Sequence, residues 1–272
     1  MRDYREKYDL GEKTAYVIGG QGLIGIEICK ALRDFGAKVI SLDIGPESFK
    51  SSNKFNSVEL KEISFEKFDC TDIENMDTKL SQMFKTYSEP NILINCSYPR
   101  TKDWADSSFE NVSYESLAEN IKINLVSTVW ISRFFAEFMR SNEISGSIIH
   151  LGSIYGVVGQ NMNIYEKTDM TENITYATIK GGLTNYTRQM ASIYGPFNIR
   201  INSISPGGVE GSVAGKSDNQ NIDFRNNYSK NVPMGRLSTA DEIASSAVFL
   251  ASDASSYVTG INLMIDGGWT AI

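Results

Sequence analysis

The chain has 272 residues, 41% hydrophobic and 22% charged, with a net charge of −7. That length supports a large buried core, and the acidic balance argues against nucleic-acid or anionic-membrane partners. No apolar run is long enough to span a bilayer, and Met1-Arg2-Asp3-Tyr4-Arg5-Glu6 is no signal peptide.

Strand-like and helix-like segments alternate from end to end, without linker or internal repeat. This predicts an α/β fold: a single-domain, Rossmann-type, doubly wound parallel sheet of about seven strands over residues 1–272. The expected strands are Thr14–Ile18, Lys38–Asp43, Lys67–Asp69, Asn91–Asn95, Ser147–Leu151, Arg200–Ile204 and Asn262–Ile265. Segments 44–62 and 206–231 are the least regular. The first strand runs into Gly19-Gly20-Gln21-Gly22-Leu23-Ile24-Gly25. A helix follows with Ile24, Ile28, Ala31, Leu32 and Phe35 on one face, ending before Gly36. Strand, glycine turn and helix are the setting of a dinucleotide site, where glycines admit a pyrophosphate to the backbone and the helix N-terminus receives its charge. Asp43 ends the second strand roughly 20 residues later, placed to accept hydrogen bonds from an adenosine ribose. It would repel a 2′-phosphate, and no Arg or Lys stands beside it, so NAD is favoured over NADP.

Tyr176 and Lys180 lie four apart in a helical segment and share a face. A free Tyr titrates near ~10, and a nearby cation lowers that value toward use as a general acid/base. Cys29, Cys70 and Cys96 have no metal-ligand spacing, so no metal is expected, and their odd number suits a reducing cytoplasm. His150, the sole histidine, lies in a strand, which points to a structural role and excludes a His-based mechanism.

These features in this order resemble the short-chain dehydrogenase/reductase family over nearly the whole chain. Asp69-Cys70 looks like its pair beside the adenine, and Ile92-Leu93-Ile94-Asn95 like the strand before its Asn-Asn-Ala-Gly motif. Asn124, Ser153, Tyr176 and Lys180 match its Asn, Ser, Tyr and Lys, and Ser205-Pro206-Gly207-Gly208 its Pro-Gly turn. Pro233-Met234-Gly235-Arg236, Thr259-Gly260 and Asp266-Gly267-Gly268 match its C-terminal signature. The resemblance implies cofactor contacts from Gly19, Gln21, Gly22, Leu23, Ile24, Gly25, Asp43, Asp69, Cys70, Asn95, Cys96, Ser97, Pro206, Gly207, Val209 and Ser212, besides Tyr176 and Lys180. It implies that Tyr176 exchanges a proton with the substrate oxygen and Ser153 hydrogen-bonds that oxygen. Lys180 holds the nicotinamide ribose and lowers the Tyr176 pKa, and Asn124 holds a relay water. It further implies a homo-oligomer, a tetramer or failing that a dimer. The helix bearing Val129, Trp130, Phe134, Phe135 and Phe138 and the helix bearing Tyr186, Met190 and Tyr194 would pair across a two-fold axis.

The departures from the family pattern are informative. Gly19-x-x-Gly22-x-x-Gly25 has the spacing of the extended subtype, with Leu23 at the short subtype's middle glycine, while the length and the Asp266-Gly267-Gly268 ending belong to the short subtype. Asn95-Cys96-Ser97-Tyr98-Pro99-Arg100 replaces Asn-Asn-Ala-Gly. The Thr expected after the Pro-Gly turn is absent, and Ser212 could substitute. A polar insertion containing Tyr165 and Lys167 separates Ser153 from Tyr176.

Polar and aromatic residues in the variable loops, including Tyr98, Arg100, Trp104, Tyr165 and Lys167, suit a small polar substrate that is polyhydroxylated and, if Arg100 and Lys167 meet it, anionic. The variant after Asn95 and the insertion also resemble short-chain dehydrogenases of flagellin-glycan or nonulosonic-acid gene clusters, which points to a sugar or sugar phosphate. Three readings stand at this point. They are an NAD-dependent oxidoreductase on a sugar-like alcohol or ketone, a nucleotide-sugar epimerase or dehydratase that retains its NAD, and an NAD-binding regulator without catalysis. Net cofactor turnover separates the first from the second, and the complete Ser153, Tyr176 and Lys180 set argues against the third.

Overall fold

A computed structural model describes residues 3–45, 62–211 and 220–272. The strands are β1 (Thr14–Ile18), β2 (Lys38–Asp43), β3 (Ile63–Lys67), β4 (Ile92–Asn95), β5 (Gly146–Leu151), β6 (Ile199–Pro206) and β7 (Asn262–Ile265). They form one parallel sheet in the order β3-β2-β1-β4-β5-β6-β7. The helices are α1 (Leu23–Asp34), α2 (Met76–Thr86), α3 (Tyr114–Ile121), α4 (Ser127–Ser141), α5 (Ile174–Tyr194), α6 (Ile222–Ser229) and α7 (Ala240–Ala251). This is the doubly wound, Rossmann-type arrangement expected from the alternating segments.

Side-chain alternation along each strand feeds two cores, one on each face of the sheet. Ala15 and Val17 of β1 join Ile92 and Ile94 of β4 under α1 and α7. Tyr16 and Ile18 join Leu93 and Ile148 under α2, α4 and α5. A third, smaller cluster joins Ile154 and Ile164 of the insertion to Tyr228, Val232 and Trp269.

The third strand is Ile63–Lys67 rather than Lys67–Asp69. It is an edge strand paired only with β2, and Phe68 and Asp69 already belong to the loop beyond it. Phe35 does not continue the buried face of α1. It follows the last helical turn, is exposed, and meets Tyr8 with ring centroids 6.3 Å apart. The irregular segment 206–231 contains α6. Phe135, Met190 and Tyr194, assigned to an intersubunit face, are instead buried in the core of this chain, with Trp130, Phe134, Phe138 and Tyr186 packed partly buried against it. Core packing uses most of that apolar surface.

Candidate active site

The site forms where strand order reverses between β1 and β4, which opens a crevice at the carboxyl ends of the strands. The cleft has a volume of about 1320 Å³. One wall is the turn after β1. Gly19 has φ +71°, and a Cβ there would sit 2.8 Å from Ser97 N, so the turns after β1 and β4 touch backbone to backbone. A Cβ on Gly25 would lie 2.2 Å from the Gly19 carbonyl oxygen. Both positions therefore require glycine. Gly22 caps α1 without any side-chain hydrogen bond, which leaves the first N–H groups of the helix open to an anion. Leu23 is exposed at the rim, where its side chain meets Gly211.

Asp43 ends β2 on the same cleft, accepting from Gln21 N at 3.0 Å and from Ile44 N at 2.8 Å. Gly19, Gln21, Gly22, Ile24 and Gly25 line the cleft, as do Cys70, Cys96 and Ser97. Asp69 does not. Its carboxylate accepts from Thr71 N and Oγ1, which closes the loop after β3. Asn95 closes the turn after β4 by accepting from Ser97 N at 3.0 Å and Oγ at 2.7 Å. Pro206, Gly207 and Val209 line the opposite wall, and Ser212 lies outside the described residues.

Tyr176 and Lys180 sit in the first turns of α5. Asn173 caps this helix by accepting from Tyr176 N at 3.1 Å. The Tyr176 ring is edge-on to Tyr98, with centroids 5.1 Å apart. Burial raises its pKa, while a hydrogen bond from Ser153 and the charge of Arg100 lower it. Ser153 follows β5, is itself buried, and caps a short turn by accepting from Tyr155 N at 3.2 Å.

Lys180 is 5% exposed and donates from Nζ to the Leu151 carbonyl at 2.6 Å. Burial depresses its pKa to about 8. Its Nζ lies 5.6 Å from the Tyr176 ring centroid, turned toward Leu151. The positive charge that lowers the Tyr176 pKa in this arrangement is that of Arg100.

Asn124 occupies a π-helical turn, Lys122–Val126, between α3 and α4. Such turns mark functional sites frequently. Its Nδ2 donates to Pro99 O at 2.9 Å and Asn120 O at 3.0 Å, and its buried Oδ1 has no protein partner. A narrow recess lined by Asn95, Asn124, Thr128 and Lys180 lies behind the cleft.

The three loop residues diverge. Arg100 lines the cleft and stacks on Trp104, its Cζ 3.9 Å from the ring centroid. Tyr165 is outside the lining. It accepts from Gln160 Nε2 at 3.1 Å and packs on Phe224. Lys167 is exposed at a left-handed turn, φ +62°, and is likewise not part of the lining. The insertion folds onto residues 222–232, with Asn161 donating to Asn231 and Asn227 to the Glu166 carbonyl.

Sequence reasoning missed Asn173. Besides capping α5, it donates from Nδ2 to the Trp104 carbonyl at 2.7 Å and accepts from Thr175 Oγ1 at 2.6 Å. An Asn just ahead of a helical segment is a capping signal and was available in the sequence. His150 is fully buried between Ser132 and Thr187, each 2.8 Å from a ring nitrogen, and burial takes its pKa down to about 3. Among the described residues no helix is long and apolar enough to cross a membrane.

A family model described as enoyl-(acyl carrier protein) reductase, adh_short_C2, matches residues 21–270. The chain belongs to the short-chain dehydrogenase/reductase family. It is 31% identical over 265 residues to the post-translational flagellin modification protein A of Campylobacter coli, covering 96% of this chain and 99% of that protein. It is 28% identical over 270 residues to a galactitol 2-dehydrogenase (L-tagatose-forming) of Cereibacter sphaeroides, covering 98% and 99%. The crystal structure of a short-chain dehydrogenase from Leptospira borgpetersenii with bound NAD+ superposes with a TM-score of 0.82 at 30% identity, covering 99% of this chain and 96% of that one. Family membership makes this chain an oxidoreductase with a nicotinamide cofactor and a small-molecule substrate.

Proposed function

We propose that this enzyme transfers a hydride between NAD and a carbinol or carbonyl carbon of a polar, sugar-like substrate. The observation that carries the proposal is that Tyr176, with Ser153 beside it, and Lys180 line the cleft that also holds the glycine turn and Asp43. The residues fit the cofactor. The turn cannot accept a Cβ at Gly19 or Gly25, and the uncapped start of α1 suits a pyrophosphate. Asp43 suits ribose hydroxyls and opposes a 2′-phosphate. Bound there, NAD supplies the hydride acceptor or donor.

The protein's own groups handle the oxygen and its proton. Ser153 Oγ and Tyr176 Oη bind the substrate oxygen, and in the oxidative direction the Tyr176 phenolate takes its proton. The Ser153 hydrogen bond stabilises that phenolate, as does the positive charge of Arg100. Lys180 Nζ, fixed by the Leu151 carbonyl, is placed to reach a ribose hydroxyl. Asn124, with its unpartnered Oδ1 beside the recess that reaches Lys180, is placed to hold a relay water.

The names of the relatives support a sugar-class substrate: one is a flagellin modification protein and one a galactitol 2-dehydrogenase. The same reading makes the enzyme a cytoplasmic homo-oligomer, a tetramer or a dimer, through the remaining apolar surface of α4 and α5. The test is NADH formation from NAD+ with a panel of alditols and sugar derivatives. The glycine spacing favours one competing reading, a nucleotide-sugar epimerase or dehydratase. That enzyme would retain NAD through purification and give no net NADH with any of them.

A further inference from the structure

We propose that Arg100 and Trp104 form an anion subsite beside Tyr176, so that the substrate carries a carboxylate or phosphate close to its reacting carbon. This deepens the oxidoreductase reading and rests on it. The guanidinium carbon of Arg100 lies over the indole of Trp104, 3.9 Å from the ring centroid. Stacking of this kind holds the fork of donors in place, leaving its edge free to meet two oxygens of one anion. Among the described residues no carboxylate lies within ion-pair distance of Arg100, whereas Arg140, Arg225 and Arg236 are each paired with a glutamate. In a chain of net charge −7, a cleft-wall cation with no acid paired to it among the described residues is a place for a ligand's charge.

The position of this cation is fixed relative to the reacting group. Trp104 donates from Nε1 to Tyr98 Oη at 3.4 Å, and Tyr98 packs on Tyr176. Three hydrogen bonds fasten the same loop to the start of α5. Asn173 donates to the Trp104 carbonyl at 2.7 Å, Ile174 N to the Ser107 carbonyl at 3.0 Å, and Phe109 N to Glu172 Oε1 at 3.0 Å. An anion on Arg100 is thereby held on the Tyr176 side of the cleft. Lys167, exposed and outside the lining, takes no part.

The experiment uses the full-length enzyme with NAD(H) and matched probes: aldonates and alditol monophosphates, each paired with the neutral alditol of the same configuration. Calorimetric titration of the enzyme–NADH complex reads binding, and NADH absorbance reads turnover. At least one anionic probe should bind about ten-fold more tightly than its neutral partner. Arg100→Ala should remove that advantage while leaving the NADH affinity unchanged, and Arg100→Lys should restore part of it. The aldonate and phosphate arms identify which anion is taken. Wild-type enzyme that binds neutral probes as well as anionic ones, or an Arg100→Ala variant that keeps the preference, overturns the subsite even where alditols are oxidised. Anion binding that depends on Arg100 without any NADH formation upholds the subsite and counts against the oxidoreductase reading.

Discussion

Asn173 donates its side-chain amide to the main-chain carbonyl of Trp104 at 2.7 Å. With its other side-chain atom it accepts from the Tyr176 amide at 3.1 Å. One buried residue thus starts the helix that carries the acid/base and also anchors the loop that carries Arg100.

The two functions of Asn173 separate by substitution. Asn173→Ala loses both and should cost about 1–2 kcal/mol of stability, the upper range for a helix cap. Asn173→Asp keeps the acceptor for the α5 cap but cannot donate to Trp104. Its melting temperature should stay near wild type by calorimetry, while KM for the substrate rises about ten-fold and kcat changes less. Native stability together with a native KM in Asn173→Asp would make Asn173 a cap and nothing more.

His150 makes the folded state sensitive to acid. Its folded pKa is depressed to about 3 by burial, against an ordinary value near 6.5. Below the ordinary value the unfolded chain binds a proton that the folded chain refuses. The stability it contributes is therefore complete above about pH 6.5 and is lost as pH falls toward 3, by about 1.4 kcal/mol per pH unit. Urea unfolding at about pH 7.5 and 5.5 should differ by roughly that amount. The difference should shrink in His150→Gln, which has no imidazole to titrate, although the substitution itself disturbs the hydrogen bonds to Ser132 and Thr187.

Asp43 sets the cofactor preference. Calorimetry should give NAD+ a Kd at least about ten-fold below that of NADP+, and Asp43→Ser should narrow the ratio by weakening NAD+ and admitting NADP+. Equal binding of both cofactors by the native enzyme would remove Asp43 from this role.

Residues whose local pattern determines their place were legible in the sequence. The sheet was readable because its central strands are short apolar runs punctuated by glycine and Asp, and six of the seven lie within two residues of their expected bounds. The edge strand β3 was misplaced because only Ile63 of its five residues is fully buried, so it carries little of the apolar signal that marks a central strand. The helix spacing of Tyr176 and Lys180 made their shared face readable, but the direction of the Lys180 ammonium depends on the Leu151 carbonyl of a distant strand. The Arg100–Trp104 contact and the packing of Tyr165 against Phe224 are likewise tertiary facts without a local signature. The apolar residues of α4 and α5 were assigned to an interface because periodicity does not distinguish a wide core face from a docking face.

The most direct test of the account is NADH formation by Tyr176→Phe compared with wild type on the best member of the alditol and sugar-derivative panel. The substitution keeps the ring against Tyr98 and removes the one oxygen assigned to proton transfer. The account predicts that kcat falls at least about hundred-fold while the Kd for NAD+ is unchanged. Near-native turnover in the variant would contradict it.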